Sequence, residues 1–162
     1  MESFISIIDY VGYQGPPINS FLTFFSLLEK PPFLFMFMLG SILNYELNNQ
    51  LKNIIKESRP KNPLPYIDDD LIKGVQIYGM PSGHAQIISF SIVFMILTKR
   101  PVYLILFSSF IGLLTLIQRW KYRRHTIEQL VGGILVGSMF SLFIFWITES
   151  YLQRTTNFKN LL

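Results

Sequence analysis

Apolar residues run along this chain in long blocks separated by short polar stretches, and the blocks have the length of helices rather than strands. The clearest covers residues 32–57. Pro31-Pro32 suits a helix start, and Phe33 to Leu43 is apolar apart from small residues. From Asn44 the pattern turns amphipathic, with Leu47, Leu51, Ile54 and Ile55 on one side and Asn48, Lys52 and Lys56 on others. Asn44, Glu46, Asn48, Asn49 and Gln50 are costly against lipid, so this half is expected to face other helices or an aqueous cavity. Arg59-Pro60 ends the block. A second helix is predicted over 82–98, because Pro81 disfavours helix at Met80 and Ser82 is a strong N-cap. Lys99-Arg100-Pro101 makes a tight turn, residues 102–118 return as an apolar helix, and 119–124 are a short connector. A last helix starts at His125 or Thr126 and runs to about residue 148, with Gly132-Gly133 and Gly137-Ser138 suited to close helix packing.

The N-terminal part is less regular. Residues 1–19 contain Gly12, Gly15 and Pro16-Pro17 as breakers, with Ile5, Ile7 and Ile8 in a short interfacial helix. Residues 20–28 are apolar but too short to cross a bilayer alone, and Glu29-Lys30-Pro31-Pro32 ends them, so a re-entrant or half-inserted helix is expected. The pattern predicts an all-α integral membrane bundle of about four to five membrane helices. An N-terminal segment (1–31) and a polar tail (149–162) flank the main membrane domain (32–148).

Composition agrees with this picture. Half of the 162 residues are hydrophobic, 15 are Phe, and mean hydropathy is +0.37. The net charge of +4 does not suggest nucleic acid, because the basic residues cluster at helix ends rather than along one polar face. Cysteine is absent, which excludes a disulfide, a cysteine nucleophile and thiolate metal ligands. Glu2 and Asp9 with no early cation argue against a cleavable signal peptide. Asp68-Asp69-Asp70 is one run of adjacent carboxylates without ligand spacing or a Gly turn, which reads as a solvated loop and not a cation site. Basic residues lie on both sides of the bundle and leave its orientation open.

Three segments carry the candidate chemistry. In Tyr78-Gly79-Met80-Pro81-Ser82-Gly83-His84-Ala85-Gln86, a helix N-terminus offers unpaired N–H groups at its positive end, with His84 just inside and Gly83 permitting close approach. Lys52-x6-Arg59-Pro60 closes the first long helix. Arg119-Trp120-Lys121-Tyr122-Arg123-Arg124-His125 holds the second of the chain's two histidines. Helix alternation brings all three to one membrane face, where cations and histidines would surround an anion. Trp120 and Tyr122 read as interfacial anchors, and Arg123 and Arg124 as interfacial cations that are also candidates for a second phosphate.

In this order the three segments resemble the signature of the type 2 phosphatidic acid phosphatase superfamily, K-x6-RP, PSGH and SR-x5-H-x3-D, across roughly residues 32–148. Gln118 stands where that family usually has Ser, and Gln129 where it usually has Asp. The resemblance implies a metal-independent phosphatase with no cofactor. His125 would be the nucleophile forming a phosphohistidine, and His84 would protonate the leaving oxygen and then activate water. Lys52, Arg59, Ser82, Gly83 and Arg119 would bind phosphate. Gln129, one helical turn after His125, could accept the hydrogen bond an Asp would take, though without its charge; Glu128 could instead supply a carboxylate. Gln86 is a candidate for orienting His84 or its loop.

Finer features narrow the resemblance. His125-Thr126-Ile127-Glu128-Gln129, Tyr78 to Gln86, and Glu57-Ser58-Arg59-Pro60 are similar to the dolichyl-diphosphate phosphatase branch, whose last motif reads HT-x-x-Q. That likeness implies an isoprenoid diphosphate substrate, a site facing the endoplasmic reticulum lumen, and carrier recycling for N-glycosylation. It also implies more membrane helices before the first motif than this chain has. The rival readings are a broad lipid phosphate phosphatase acting on phosphatidate-like monoesters, and a catalytically inactive lipid-binding scaffold suggested by Gln129.

Overall fold

A computed structural model describes residues 6–67 and 72–159, the last four as backbone only. The Asp68-Asp69-Asp70 run therefore lies outside the described residues. Among the described residues the architecture is all-helical: α1 (Ile7–Tyr13), α2 (Gly15–Ser26), α3 (Pro31–Ile55), a 3-10 turn (Gly74–Ile77), α4 (Gly83–Leu97), α5 (Val102–Lys121) and α6 (Ile127–Lys159). Helices α5 and, over Ile127–Thr155, α6 are long and apolar enough to cross a membrane. The bundle is that of a helical membrane protein with its polar site at one end.

The N-terminal segment differs from expectation. Residues 20–26 are not an isolated short helix but the end of a nearly continuous helical stretch that starts at Ile7. Gln14 is both the last cap of α1 and the first of α2, and Pro16 and Pro17 sit in the first turn of α2, where a missing N–H costs little. Hydrogen bonds from Gln14 N to Tyr10 O and from Ile18 N to Gln14 O carry the helix across the joint. Twenty residues at about 1.5 Å each give roughly 30 Å. The C-terminal end also differs. Residues 149–159 expected in the polar tail continue α6 as helix.

Helix α4 is the hub. It is apolar on all sides and packs against α2, α3, α5 and α6, as a central helix must. Two regions lie along it. Toward its C-terminus Leu27, Phe37, Phe90, Phe94 and Ile144 form an apolar core, with the Phe37 and Phe90 rings stacked at 5.6 Å. At that end Arg100 pairs with Glu29 at 2.7 Å, and Lys30 Nζ donates to Thr98 O at 2.8 Å, tying the α2–α3 and α4–α5 connections together. The polar site lies at the opposite end.

The contact between α4 and α6 depends on small residues, as their sequence positions suggested. A Cβ at Gly137 would overlap the Gln86 carbonyl, and one at Gly133 would overlap the Ser82 carbonyl. Backbone cannot move aside as a side chain can. Gly137→Leu is expected to lower stability by about 1–3 kcal/mol, read as a fall in the thermal midpoint of the purified protein in detergent.

The polar half of α3 follows its sequence only in part. Asn44, Asn48 and Lys52 form a buried face, each one helical turn from the next. Glu46 and Gln50 lie on the far side of the helix, are exposed, and hydrogen-bond to each other rather than to a neighbouring helix. α3 ends earlier than Glu57: Lys56 takes a left-handed conformation (φ 52°), which turns Glu57, Ser58 and Arg59 out of the helix axis.

Candidate active site

The ends of α3, α4 and α5 meet at a cavity of about 370 Å³ whose lining includes Lys52, Arg59, Gly83, His84, Arg119 and His125. Six of the eight residues expected to do chemistry or bind phosphate at the three motifs therefore face one space, and Gln129 stands behind His125. Ser82 does not line it. It is fully buried, its hydroxyl accepts from Ala85 N at 3.5 Å as the α4 N-cap, and its own N–H donates to Gln129 O at 3.0 Å.

The α5–α6 turn explains how His125 reaches the cavity. Arg123 adopts φ 52°, and Arg124 N donates to Arg119 O at 2.9 Å. This closes α5 and folds His125 back toward Arg119. Thr126 and Gln129 then form a capping box: Gln129 N donates to Thr126 Oγ1 at 3.3 Å, and Thr126 N donates to Gln129 Oε1 at 3.2 Å. The H-T-x-x-Q spacing thus starts a helix and places an amide beside the histidine in one stroke.

The tautomer of His125 follows from its neighbours. Arg59 Nη1 lies 3.1 Å from Nε2, and a guanidinium only donates, so Nε2 is the acceptor. The ring proton is therefore on Nδ1, which donates to Gly79 O at 3.0 Å and Gln129 Oε1 at 3.3 Å. Gln129 is itself fixed, because its Nε2 donates to Glu57 Oε1 at 2.7 Å and Ser58 O at 2.9 Å. That leaves the amide oxygen facing His125. Burial, followed by the positive charges of Arg59, Arg119 and Lys52 and by His84, holds the His125 imidazole well below its ordinary value of 6.5. At neutral pH the ring is uncharged and the Nε2 lone pair faces the cavity side, as a nucleophile requires.

His84 is arranged in parallel. Arg119 Nη1 lies 3.3 Å from its Nε2, which must again accept, and the Tyr13 backbone hydrogen-bonds the ring. Arg119 is oriented by Gln118 Oε1, which accepts from its Nε at 2.9 Å. The residue that departs from the usual Ser is thus the one that aims this arginine. Lys52 is 1% exposed, and two of its ammonium hydrogens go to Tyr78 O at 2.9 Å and Gln76 Oε1 at 3.1 Å. A third remains for an anion.

Two residues that the sequence did not single out support this set. Gln76, in the 3-10 turn, takes Lys52 on its side-chain oxygen and accepts from Arg59 Nε at 2.9 Å on its carbonyl, so it spaces the two cations of the first motif. The Tyr13 ring lies 5.9 Å from the His84 ring, tilted 36° to it, and 5.4 Å from the Arg119 guanidinium. Neither carries a sequence signal; one lies in a loop and the other beside a run of breakers.

The accessory candidates separate. Gln86 is buried and holds the loop rather than His84: it donates to Asn44 Oδ1 and accepts from Asn48 Nδ2, both at 2.8 Å, and Asn48 in turn donates to Pro81 O at 3.1 Å. Arg124 is not an interfacial cation. It is 1% exposed, donates to Leu64 O at 3.1 Å, and its carbonyl accepts from Arg59 Nη1 at 2.9 Å, so it braces the Arg59 loop from outside the cavity. Arg123 is exposed and lines, with Trp120 and Glu128, a second, open depression that shares His125 with the cavity. Glu128 is exposed and hydrogen-bonds Thr126, not His125. Tyr122 is also buried, its hydroxyl donating to Asp9 at 3.1 Å beside the Lys121–Asp9 ion pair of 2.7 Å. Gln129→Ala is therefore expected to slow turnover on the order of a hundredfold, the scale of a lost proton-positioning group, while Glu128→Ala stays near wild type. Steady-state rates of the two variants decide which residue orients His125.

The arrangement provides two imidazoles, three cations and a helix N-terminus around one space, which suits attack on phosphorus and charge neutralisation of its oxygens. A family model described as the PAP2 superfamily matches residues 32–152. A chloroplastic lipid phosphate phosphatase epsilon 1 from Arabidopsis thaliana is 33% identical over 130 residues, 72% of this chain and 41% of that protein. The dolichyldiphosphatase of Saccharomyces cerevisiae is 30% identical over 118 residues, 67% of this chain and 48% of that protein. The chain thus spans less than half the length of these two relatives. No solved structure matches it.

Proposed function

The chain belongs to the PAP2 superfamily, and from that premise we propose that it removes the terminal phosphate of a polyprenyl diphosphate through a phosphohistidine at His125. The observation that carries the reading is the fixed His125 ring, with Nδ1–H held by Gly79 and Gln129 and Nε2 beside Arg59 at the cavity. Substrate phosphate oxygens take over Arg59, Arg119 and the third hydrogen of Lys52, and Nε2 of His125 is released to attack phosphorus in line. As Arg119 turns to a phosphate oxygen, His84 Nε2 is freed and takes a proton from solvent beside the bound anion. The N–P bond forms as the bond to the bridging oxygen breaks, and His84 delivers that proton to the oxygen. Polyprenyl phosphate leaves. His84, now neutral, takes a proton from water, whose oxygen attacks the phosphohistidine. The N–P bond breaks, inorganic phosphate departs, His84 returns its proton to solvent, and His125 returns to its starting tautomer. No metal or cofactor has a part in this sequence.

The substrate assignment rests on the local likeness of Tyr78–Gln86 and His125–Gln129 to dolichyl-diphosphate phosphatases and on the similarity to the yeast dolichyldiphosphatase. It carries with it an endoplasmic reticulum location with a lumen-facing site and a part in glycosyl-carrier recycling. The similarity to a lipid phosphate phosphatase favours a second reading, broad action on phosphatidate-like monoesters. Phosphate release by the purified protein in detergent with chelator present separates them. Dolichyl diphosphate is expected to turn over at least about tenfold faster than phosphatidate, a selectivity of 1.4 kcal/mol. Equal or faster turnover of phosphatidate would remove the polyprenyl assignment, and loss of all activity in chelator would remove the metal-free mechanism.

A further inference from the structure

We infer that Glu57 is a positioning residue that restores, one hydrogen bond further from the ring, the carboxylate His125 lacks through having Gln at 129. The inference rests on His125 acting as nucleophile. The chain of contacts is continuous: Gln129 Nε2 donates to Glu57 Oε1 at 2.7 Å, and Gln129 Oε1 accepts from His125 Nδ1 at 3.3 Å. A carboxylate at the N–H end of an amide draws its hydrogens outward and increases the negative charge on its oxygen. That oxygen faces the ring proton. When Nε2 bonds phosphorus the imidazole becomes cationic, and a more negative Gln129 oxygen stabilises it. No proton crosses the amide; Glu57 acts through polarisation and by fixing which end of Gln129 faces the histidine.

The backbone is built for this arrangement. Gly79 N donates to the Glu57 carbonyl at 2.8 Å while Gly79 O accepts from His125, so one residue sits between the two ends of the relay. A Cβ at Gly79 would overlap the Gln129 amide. Glutamine is one methylene longer than aspartate, and glycine at 79 makes room for it. The groups facing His125 from the surrounding elements are otherwise cationic or basic: Lys52 from α3, Arg59 from the connector after it, His84 from α4 and Arg119 from α5. Glu57 and Glu128 are both exposed; Glu128, on α6, is bonded to Thr126, and Glu57 to the Gln129 amide. Through Gln129, Glu57 brings a compensating negative charge to this set.

An isosteric exchange tests the inference on the full chain in detergent with dolichyl diphosphate. Glu57→Gln keeps the shape and can still accept from Gln129, so a purely structural contact predicts no change. The inference predicts kcat lower by about tenfold, the effect of one pKa unit, with KM little altered and the acid limb of kcat/KM moved to lower pH. The double exchange Glu57→Gln with Gln129→Glu transposes amide and carboxylate; it is expected to recover kcat and to move the acid limb above that of wild type. Wild-type kcat and an unmoved limb in Glu57→Gln would overturn the inference. So would a double variant as slow as the single one with its limb unmoved. Phosphate release that survives His125→Ala would overturn the reading of the site and this inference with it, and His125→Ala run in parallel tells the two failures apart.

Discussion

His125→Ala is expected to release phosphate at least about a thousandfold more slowly than wild type, the scale on which removal of a nucleophile acts, while remaining folded. The loss is large because nothing else at the cavity can replace Nε2. His84 is the other imidazole, and its Nε2 is already bonded to Arg119. Folding survives because the groups around the ring are held independently. Gly79 is anchored through Glu57, Gln129 through Glu57, Ser58 and its capping box with Thr126, and Arg59 through Gln76 and Arg124. Phosphate release together with circular dichroism separates this outcome from simple unfolding. A variant with rates within tenfold of wild type would mean that His125 is not the nucleophile.

Arg59→Ala is expected to have the next largest effect, about 10²–10³-fold on kcat/KM, as for the loss of a preorganised charge-stabilising donor. Arg59 does three things from one guanidinium: Nε donates to Gln76 O, and Nη1 reaches both Arg124 O and His125 Nε2. Lysine has neither the fork nor the reach to repeat that geometry, so Arg59→Lys recovers little. The pH profile carries a second signature. The Arg59 charge helps to hold His125 below 6.5, so removing it raises the His125 pKa. The acid limb of kcat/KM then moves to higher pH, opposite to the shift expected for Glu57→Gln. A pH–rate profile of Arg59→Ala with its limb unmoved or lowered would contradict the placement of this charge beside the ring.

Much of the site could be read before the structure because its residues lie at helix ends, where local rules are strong. Pro81 and Ser82 fix the start of α4, and the i,i+4 spacing of His125 and Gln129 places them on one face. The cation at the end of each long apolar block then falls at one membrane face by alternation alone. What escaped the sequence depends on contacts across the bundle. Tyr13 reaches His84 and Arg119 only because α1 and α2 continue through Gly15-Pro16-Pro17, and prolines that break a helix interior are tolerated in a first turn. Gln76 and Arg124 gain their positions from the connector between α3 and α4, whose path periodicity cannot give. Glu46 and Gln50 were expected to face inward with Asn44 and Asn48. Composition marks a polar helix half but leaves its exposed and buried faces to packing. Glu57 lies beyond the left-handed turn at Lys56, which no helical projection anticipates.

The central claim is the covalent phosphohistidine at His125, and rapid quench with terminally radiolabelled dolichyl diphosphate tests it most directly. The expected result is label on the protein within a turnover, stable in base, lost in acid, mapped to the peptide containing His125, and absent from His125→Ala. Label that survives acid, or that persists in His125→Ala, would contradict the claim.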